Sequence, residues 1–154
     1  MSTIELRQVT KRFGDFTAVR DVDLAVEPGE VVCLLGPSGC GKTTTLRIVA
    51  GLESATAGDV FIAGQRMNEA TPEERNIAMV FQFYALYPAL TVGENLGFPL
   101  YAEGISSAER ARRVAEVAET LQLTHILDRL PGEVAEGENQ RVAVARAIIR
   151  EPNC

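Results

Sequence analysis

The sequence predicts an α/β fold with a mainly parallel sheet and an additional antiparallel β layer at the N-terminus. Two segments in which apolar and polar residues alternate, 3–9 and 18–26, flank a Gly14–Asp15 turn, as in an antiparallel hairpin. Two short apolar runs, 31–35 and 77–81, are typical of strands buried on both faces of a parallel sheet. Helical patterns alternate with these runs, and that alternation is the signature of an α/β fold.

The aromatic residue that ends the first alternating segment has two open interpretations. Phe13 stands immediately before the Gly14–Asp15 turn. It is either a side chain of the hydrophobic core or an exposed platform on which a purine base stacks. Spacing alone favours the core.

A glycine-rich motif follows the apolar run 31–35. Residues 36–44 read G-P-S-G-C-G-K-T-T and match the phosphate-binding pattern G-x-x-x-x-G-K-[ST], known as a P-loop. Glycine allows successive backbone N–H groups to turn toward a phosphate, and the following helix adds its N-terminal N–H groups. Lys42 is expected to reach the β- and γ-phosphates of ATP, and the Thr43 hydroxyl to ligate Mg²⁺. The predicted nucleotide-binding residues of this loop are Gly36, Pro37, Ser38, Gly39, Cys40, Gly41, Lys42, Thr43 and Thr44.

Turn and capping signals predict the remaining elements. A helix is expected from about Lys42 to Ala50, followed by Gly51 in the C′ position, and residues 58–62 with Gly64 predict a strand and a turn. Thr71–Glu74 predicts a short helix start, and Thr91–Glu94 and Ser106–Glu109 fit capping boxes.

Two longer helices are expected in the second half of the chain. The first begins after Ser106 and buries one face, formed by Val114, Val117, Ala118 and Leu121. The second runs from about Glu136 to Arg150 and buries Val142, Val144, Ala145 and Ile148.

Composition excludes several classes of function. A net charge of −6 without a basic stripe argues against a nucleic-acid partner. No apolar run approaches the ~20 residues that span a bilayer, so we expect an intracellular chain, or a cytoplasmic one at a membrane surface. Three cysteines form no disulfide framework; Cys33 is expected in a buried strand and Cys40 in the P-loop, as suits a reducing compartment. No metal-binding cluster is evident, and His125 is expected at a helix end.

Several motifs together resemble one known family. In order along the chain they are P-S-G-C-G-K-T-T-T-L-R, I-A-M-V-F-Q at 77–82, Y-A-L-Y-P, T-V-G-E-N-L at 91–96 and Q-R-V-A-V-A-R-A-I-I-R-E-P at 140–152. This series is similar to the nucleotide-binding domain of ATP-binding cassette (ABC) transporters, and most similar to the ATPase subunits of carbohydrate and glycerol-phosphate importers. The resemblance covers nearly the whole chain.

The resemblance implies roles for individual residues. Phe13 matches the aromatic residue that stacks on adenine, which replaces the core interpretation. Gln82 matches the catalytic glutamine that contacts Mg²⁺ and the attacking water, so the implied metal ligands are Thr43 and Gln82. The residues after Gln82, namely Phe83, Tyr84, Leu86 and Tyr87, match the neighbourhood that receives the transmembrane permease; partial burial against the helical subdomain is the alternative.

The resemblance also implies the domain organisation. It predicts a P-loop NTPase (RecA-like) core with the antiparallel layer over about 1–85 and 140–154, and an α-helical subdomain over about 86–139. The family forms homodimers and lies peripherally on the inner, cytoplasmic face of the cell membrane. After Pro152 the family continues into the Walker B aspartate, the catalytic glutamate and the switch histidine, so this partial domain is expected to be C-terminally truncated.

One motif departs from the family pattern. The signature L-S-G-G-Q aligns with residues 134–138, which read V-A-E-G-E. Ala135 has no hydroxyl to donate to a phosphate, and Glu136 and Glu138 place two carboxylates in the first turn of the helix. A carboxylate about 4 Å from a phosphate costs on the order of 4 kcal/mol at an effective dielectric constant near 20.

Three functional hypotheses follow. The chain is the ATP-binding part of an ABC importer subunit that powers solute uptake, or it is a nucleotide-binding fragment without hydrolysis or transport of its own. The altered signature and the missing acidic residues favour the second for the chain as it stands. A small P-loop kinase is a weaker third hypothesis, because the 77–96 motifs do not fit it.

Overall fold

The computed structural model describes residues 3–154, so that residues 1 and 2, with which the predicted first domain begins, lie outside the described residues. The chain divides into two compact units. One comprises the described residues up to Ile77 together with Asn153 and Cys154, and the other comprises Ala78–Pro152. None of the helices in residues 3–154 combines the length and the apolar character needed to cross a membrane.

The first unit contains a four-stranded antiparallel sheet. Strands β1 (Ile4–Phe13) and β2 (Phe16–Val26) form the predicted hairpin around Gly14 and Asp15, and β3 (Ala57–Ile62) and β4 (Gln65–Arg66) complete the order β2–β1–β3–β4. Both strands of the hairpin are longer than the alternating segments that predicted them.

A bulge in β1 explains why two apolar residues three positions apart share one face. The register shifts between Leu6 and Val9, and Gln8 has a φ of 48°. Gly58 of β3 lies opposite, where a Cβ atom would stand 2.3 Å from the Gln8 carbonyl oxygen. The extra residue turns Val9 inward with Leu6, and both side chains are buried.

Helix α1 (Lys42–Val49) packs on the sheet and ends as predicted. Ile48 and Val49 join the core of the sheet. Gly51, at a φ of 73°, donates to the Ile48 carbonyl, and Leu52 donates to the Arg47 carbonyl at 2.9 Å. These two bonds form a Schellman motif, which satisfies carbonyl groups that the helix itself leaves without partners.

A buried arginine also holds the end of α1. The Arg75 guanidinium, in a residue that is 3% exposed, donates to the carbonyl oxygens of Ile48 at 2.7 Å and Val49 at 2.9 Å. Burial lowers the pKa of Arg75, and the positive charge lies at the negative end of the helix dipole. No pattern in the sequence predicts this contact.

The two predicted parallel strands are absent as strands, and the described sheet is antiparallel throughout. Residues 31–35 and 77–81 have no regular secondary structure. Val31 is 88% and Leu35 is 91% exposed, and Cys33 is also exposed, so the predicted burial is wrong. Neither segment has a neighbouring strand within residues 3–154, and backbone groups without a partner do not form a ladder.

The residues of the Thr71–Glu74 motif form the hydrogen bonds of a helix start, but no helix follows. Thr71 N–H donates to the Glu74 carboxylate at 2.8 Å, and the Arg75 N–H donates to the Thr71 carbonyl at 3.2 Å. The chain completes only one turn there, so the predicted short helix is wrong.

The second unit is helical. Its helices are α2 (Val92–Gly97), α3 (Ser107–Thr120) and α4 (Glu136–Ile148), with 3₁₀ turns at Phe98–Tyr101, Thr124–Ile126 and Pro131–Glu133. The capping box predicted for α2 is complete, whereas at α3 only the Ser106 hydroxyl accepts from Glu109 N–H. Their shared core consists of Val92, Leu96, Leu100, Ala118, Leu123, Ile126, Val142, Ala145 and Ile149.

Most of the predicted buried faces in this unit are confirmed. Val114, Val117 and Leu121 pack against the core that contains Ala118. On α4, Val142 and Ala145 are buried as predicted, but Val144 is only half-buried and lies outside this core. Ile148 is 41% exposed, and the next residue, Ile149, is buried instead. The helix ends at Ile148, so the last core contact comes from the residue beyond it.

Candidate phosphate-binding site

Residues 36–44 lead into α1, and the backbone of β2 limits their shape. Gly41 is the residue before the helix and has a φ of 93°. A Cβ atom at this position would lie 2.4 Å from the carbonyl oxygen of Ala18 on β2. Glycine is therefore required at position 41 by its conformation and by the close approach of a neighbouring strand.

The N-terminus of α1 has no side-chain cap. Gly41 offers no acceptor, and the first turn holds no acidic residue. In contrast, α2 and α3 are capped by the side chains of Thr91 and Ser106. The first N–H groups of α1 and its positive dipole end are thus available to an anion.

Lys42 folds back over the loop. Its Nζ donates to the carbonyl oxygens of Gly36 at 2.8 Å and Pro37 at 2.7 Å, and it lies 3.4 Å from Cys40 Sγ. The ammonium group therefore lies beside the loop that a phosphate would enter. The lysine is the only positively charged residue of the nine-residue motif.

A cavity of about 300 Å³ adjoins this loop. It is lined by the hairpin residues Phe13, Phe16 and Ala18 and by residues 39–44. Phe13 is 47% exposed, so it is not a core side chain. Lys11 Nζ lies 4.9 Å from the centroid of the Phe13 ring and is itself paired with Glu53 at 2.7 Å. The exposed ring is held beside the phosphate-binding loop.

The residues present fit a magnesium ion that is bound mainly through phosphate oxygens. Mg²⁺ commonly takes one or two protein oxygens and completes its shell with phosphates and water. Thr43 is exposed in the first turn of α1 and offers such an oxygen. Among residues 3–154, no three His, Cys, Asp or Glu side chains converge on a metal position of their own.

Gln82 lies in the second unit, in an irregular and exposed stretch. Its implied contact with Mg²⁺ and with the attacking water stays a prediction. Of the residues after it, Phe83 is fully open to solvent at 86% exposure, whereas Leu86 packs against the helical core.

At the start of α4 a side chain of the same helix occupies the N-terminal end. The Glu138 carboxylate accepts from Ala135 N–H at 2.9 Å and lies 3.1 Å from His125 Nε2. The hydrogen bond from Ala135 and the nearby His125 lower the pKa of Glu138. Glu136 and Glu138 both lie in the first turn, as predicted, and His125 lies in the 3₁₀ turn Thr124–Ile126.

Comparison with known proteins identifies this arrangement. Residues 19–154 match the family described as ABC transporter. The chain belongs to the ABC transporter family. A solved ABC cassette, MJ0796 in a dimeric post-hydrolysis state bound to ADP and Pi, is 34% identical and has a TM-score of 0.85 over 97% of this chain and 70% of that one. The likeness confirms the predicted family and the α/β P-loop NTPase fold class.

Curated ABC relatives include two sugar importer subunits. The xylose/arabinose import ATP-binding protein XacJ of Haloferax volcanii is 55% identical over 99% of the chain. The maltose/maltodextrin import ATP-binding protein MalK of Yersinia pestis bv. Antiqua is 50% identical over 99% of it. The chain spans only 40% of the first relative and 42% of the second.

Sequence reasoning missed two features of this ABC domain. Phe16 is 62% exposed and lines the same cavity as Phe13. Its position directly after the Gly14–Asp15 turn, facing Phe13 across the hairpin, was a usable signal. The hydrogen bonds of Arg146 to the segment after Gln82 had no signal in the sequence, because they join residues 61 and 62 positions apart.

Proposed function

We propose that the chain is the ATP-binding part of an ABC importer subunit and that it binds Mg-ATP at residues 36–44. One observation carries this proposal: the uncapped N-terminus of α1, the ammonium group of Lys42 and the exposed Phe13 ring surround one cavity. A helix N-terminus and a lysine suit phosphates, and an aromatic ring suits a base.

Each residue of the site has a distinct task in this proposal. Lys42 exchanges its bonds to the loop carbonyls of Gly36 and Pro37 for bonds to the β- and γ-phosphates. Phe13 stacks on adenine. Thr43 holds Mg²⁺, with Gln82 as the second ligand and as the residue that positions the attacking water; bound Mg²⁺ would neutralise charge on the phosphates.

The relatives suggest the physiological setting. Because XacJ and MalK are import ATP-binding proteins for sugars, we propose that the solute is a carbohydrate. The permease subunits are the expected membrane partner and contact the segment after Gln82. The domain is expected to pair with a second copy, as MJ0796 does in its dimeric structures, on the cytoplasmic face of the membrane.

A second candidate, binding without turnover, is favoured by the start of α4. Family members are expected to present this helix end to the γ-phosphate held by the opposite subunit. Here Ala135 supplies no hydroxyl, and the Glu138 carboxylate already accepts from the backbone N–H at that end. A fixed negative charge there opposes a second anion.

Calorimetry of Mg-ATP binding, with phosphate release followed in the same sample, tests both candidates. We expect the wild-type chain to bind Mg-ATP without releasing phosphate. Lys42→Ala removes a hydrogen-bonding charge and is expected to weaken binding by about ten- to a hundredfold.

Arg47→Ala is the matched control, because it removes one positive charge from the exposed far end of α1. We expect its ATP affinity to equal that of the wild type. Equal affinity of Lys42→Ala and wild type would contradict the binding site. Steady phosphate release by the wild type would reject binding without turnover.

A further inference from the structure

The segment that follows Gln82 contains two consecutive residues in an unfavourable backbone conformation. Tyr84 has a φ of 60° and Ala85 a φ of 49°, and neither is glycine. Left-handed conformations are uncommon for such residues and persist only where the surroundings impose them. The Ala85 N–H donates to the Phe83 carbonyl at 2.6 Å, which closes a very tight turn.

One arginine of α4 supplies the contacts that impose this turn. Arg146 Nη1 donates to the Ala85 carbonyl oxygen at 2.7 Å, and Nη2 donates to the Tyr84 carbonyl oxygen at 2.8 Å. The guanidinium carbon also lies 5.6 Å from the centroid of the Tyr87 ring. A planar fork with two fixed donors is suited to hold two adjacent carbonyl groups.

The guanidinium group of Arg146 bonds to main-chain carbonyl oxygens. Arg146 is half-buried, and partial burial lowers its pKa. Within residues 3–154 no carboxylate lies at ion-pair distance from it, whereas Arg112 and Arg113 of α3 and Arg150, which follows α4, are paired with glutamates. A partly desolvated cation that bonds to main-chain oxygens loses much of its stabilisation if those oxygens move away.

A second buried side chain secures the continuation of the segment independently. Asn95 of α2 is fully buried, accepts from Tyr87 N–H at 2.8 Å, and donates to the carbonyls of Tyr87, Leu90 and Thr91. The stretch 87–91 is thus fixed without Arg146. The link made by Arg146 is specific to Tyr84 and Ala85, the residues nearest to Gln82.

We propose that Arg146 is a positioning residue that fastens the segment after Gln82 to α4, so that this segment and α4 move as one body. Glu138, at the start of α4, precedes Arg146 by eight residues, or about 12 Å along the helix axis. A partner that contacts Phe83 is then connected through Arg146 to the helix end formed by Ala135 and Glu138. The functional meaning of this link rests on the proposed function, since only there does the segment meet a permease.

Amide hydrogen exchange of the whole chain tests the link. Arg146→Met keeps the length of the side chain and removes both donors; Arg146→Lys keeps the charge and removes the fork. For Arg146→Met we expect exchange at Tyr84 and Ala85 to accelerate about tenfold or more, because charged hydrogen bonds are lost. Arg146→Lys should lie between Arg146→Met and wild type.

The pattern across the chain separates a positioning role from a general loss of stability. Arg141→Met, an exposed arginine on the same helix, is the matched control and should exchange like wild type. The Tyr87 amide, which Asn95 holds, and the α3 amides should change little in Arg146→Met. Unchanged exchange at Tyr84 and Ala85 would overturn the proposal, and so would an equal acceleration throughout α3 and α4.

The same samples also report on the proposed function. Mg-ATP affinity, measured by calorimetry, should be the same in Arg146→Met and wild type, since residues 36–44 belong to the first unit. A wild-type chain that fails to bind Mg-ATP would defeat the proposed function, while the exchange data would still decide whether Arg146 holds the segment. A loss of ATP binding confined to Arg146→Met would contradict the local role assigned to this residue.

Discussion

Val19 and Val22 of strand β2 pair with residues of β1. Val31 and Leu35 follow a few residues further along the chain, and neither pairs with any strand within residues 3–154. The two stretches are similarly rich in β-branched and aliphatic residues. Apolar side chains therefore do not decide which stretch becomes a strand. What differs is the presence of a partner strand within residues 3–154.

The hairpin has its partner two residues away. Phe13 and Phe16 face each other across Gly14 and Asp15, so closing the ladder costs little chain entropy. A parallel strand at 31–35 needs a neighbour that arrives through a crossover of a dozen or more residues. Such a strand is normally buried on both faces, which requires neighbours and covering layers at once.

The helical unit extends the comparison. Helices α3 and α4 satisfy most of their backbone groups internally, and local side chains hold the starts of all three helices. The short helix α2 also relies on distant partners, since Val92 and Gly93 N–H donate to carbonyls of residues 129 and 127. This unit consequently buries most of the residues that the sequence predicts for α3 and α4, with Ile149 in place of Ile148 and with Val144 only half-buried. The pairing of β1 with β3, from Ile4 with Ile62 to Thr10 with Ala57, shows that a distant partner is also sufficient when residues 3–154 contain it. Residues 31–35 have no such partner among the described residues.

The largest expected effect on stability comes from making the same Leu→Ala substitution in strand β1 and in residues 31–35. Leu6 is 1% exposed in the core of the sheet, and Leu35 is 91% exposed. Leu6→Ala should lower the free energy of unfolding by about 2–5 kcal/mol through the cavity it leaves. Leu35→Ala should change it by less than about 0.5 kcal/mol, as surface substitutions usually do.

Urea unfolding of both variants, followed by circular dichroism, measures the difference. A cost for Leu35→Ala that approaches the cost of Leu6→Ala would show that residues 31–35 are buried in solution. In that case residues 31–35 would form a buried strand, and they would no longer differ from the hairpin strands.

A smaller effect on stability is expected at Gly41, where strand β2 lies against the phosphate-binding loop. Gly41→Ala would place a methyl group 2.4 Å from the Ala18 carbonyl in a residue with φ of 93°. We expect a loss of at least about 1–2 kcal/mol in stability from the backbone conformation alone, together with weaker ATP binding.

Gly137→Ala is its control. A Cβ atom at Gly137 meets nothing within 4 Å, and the residue lies in the first turn of α4. In a helix this change should be neutral or stabilising by up to about 1 kcal/mol. Thermal unfolding of the two variants is the measurement, and equal melting temperatures would mean that β2 does not constrain the loop.

Sequence patterns predicted what local chemistry determines. The hairpin turn, the Thr91 and Ser106 caps, the Gly51 helix end and the glycine-rich loop each involve residues within a few positions of one another, and all are present. The exposure of Phe13 was settled by family resemblance and not by spacing. Period-two alternation also overlooked the bulge at Gln8, since a bulge adds one residue to the count.

The contacts that could not be predicted join distant parts of the chain. Arg75 reaches the end of α1 over 26 and 27 residues, and Arg146 reaches the turn after Gln82 over 61 and 62. Both arginines bond to carbonyl oxygens, which every residue has. A side-chain pattern holds no information on which carbonyl groups a folded chain will bring to an arginine.

The smallest expected effect concerns the start of α4, where the hydrogen bond from Ala135 lowers the pKa of Glu138. A carboxyl group with a lowered folded-state pKa stabilises the fold above its ordinary pKa of about 4.3, and loses this contribution as the pH falls through the folded value. Glu138→Gln keeps an acceptor for the Ala135 N–H but removes the charge from the positive end of the helix dipole. At pH 7 we expect a melting temperature lower by no more than about 2–4 °C.

The pH dependence shows whether this small effect comes from the charge of Glu138. The difference between Glu138→Gln and wild type should disappear in acid, because the wild-type carboxyl is then also neutral. Glu136→Gln, an exposed neighbour for which no hydrogen bond to the helix start is present among residues 3–154, should show a smaller difference at pH 7. A Glu138→Gln difference that persists in acid would mean that the charge of Glu138 is not what stabilises the start of α4.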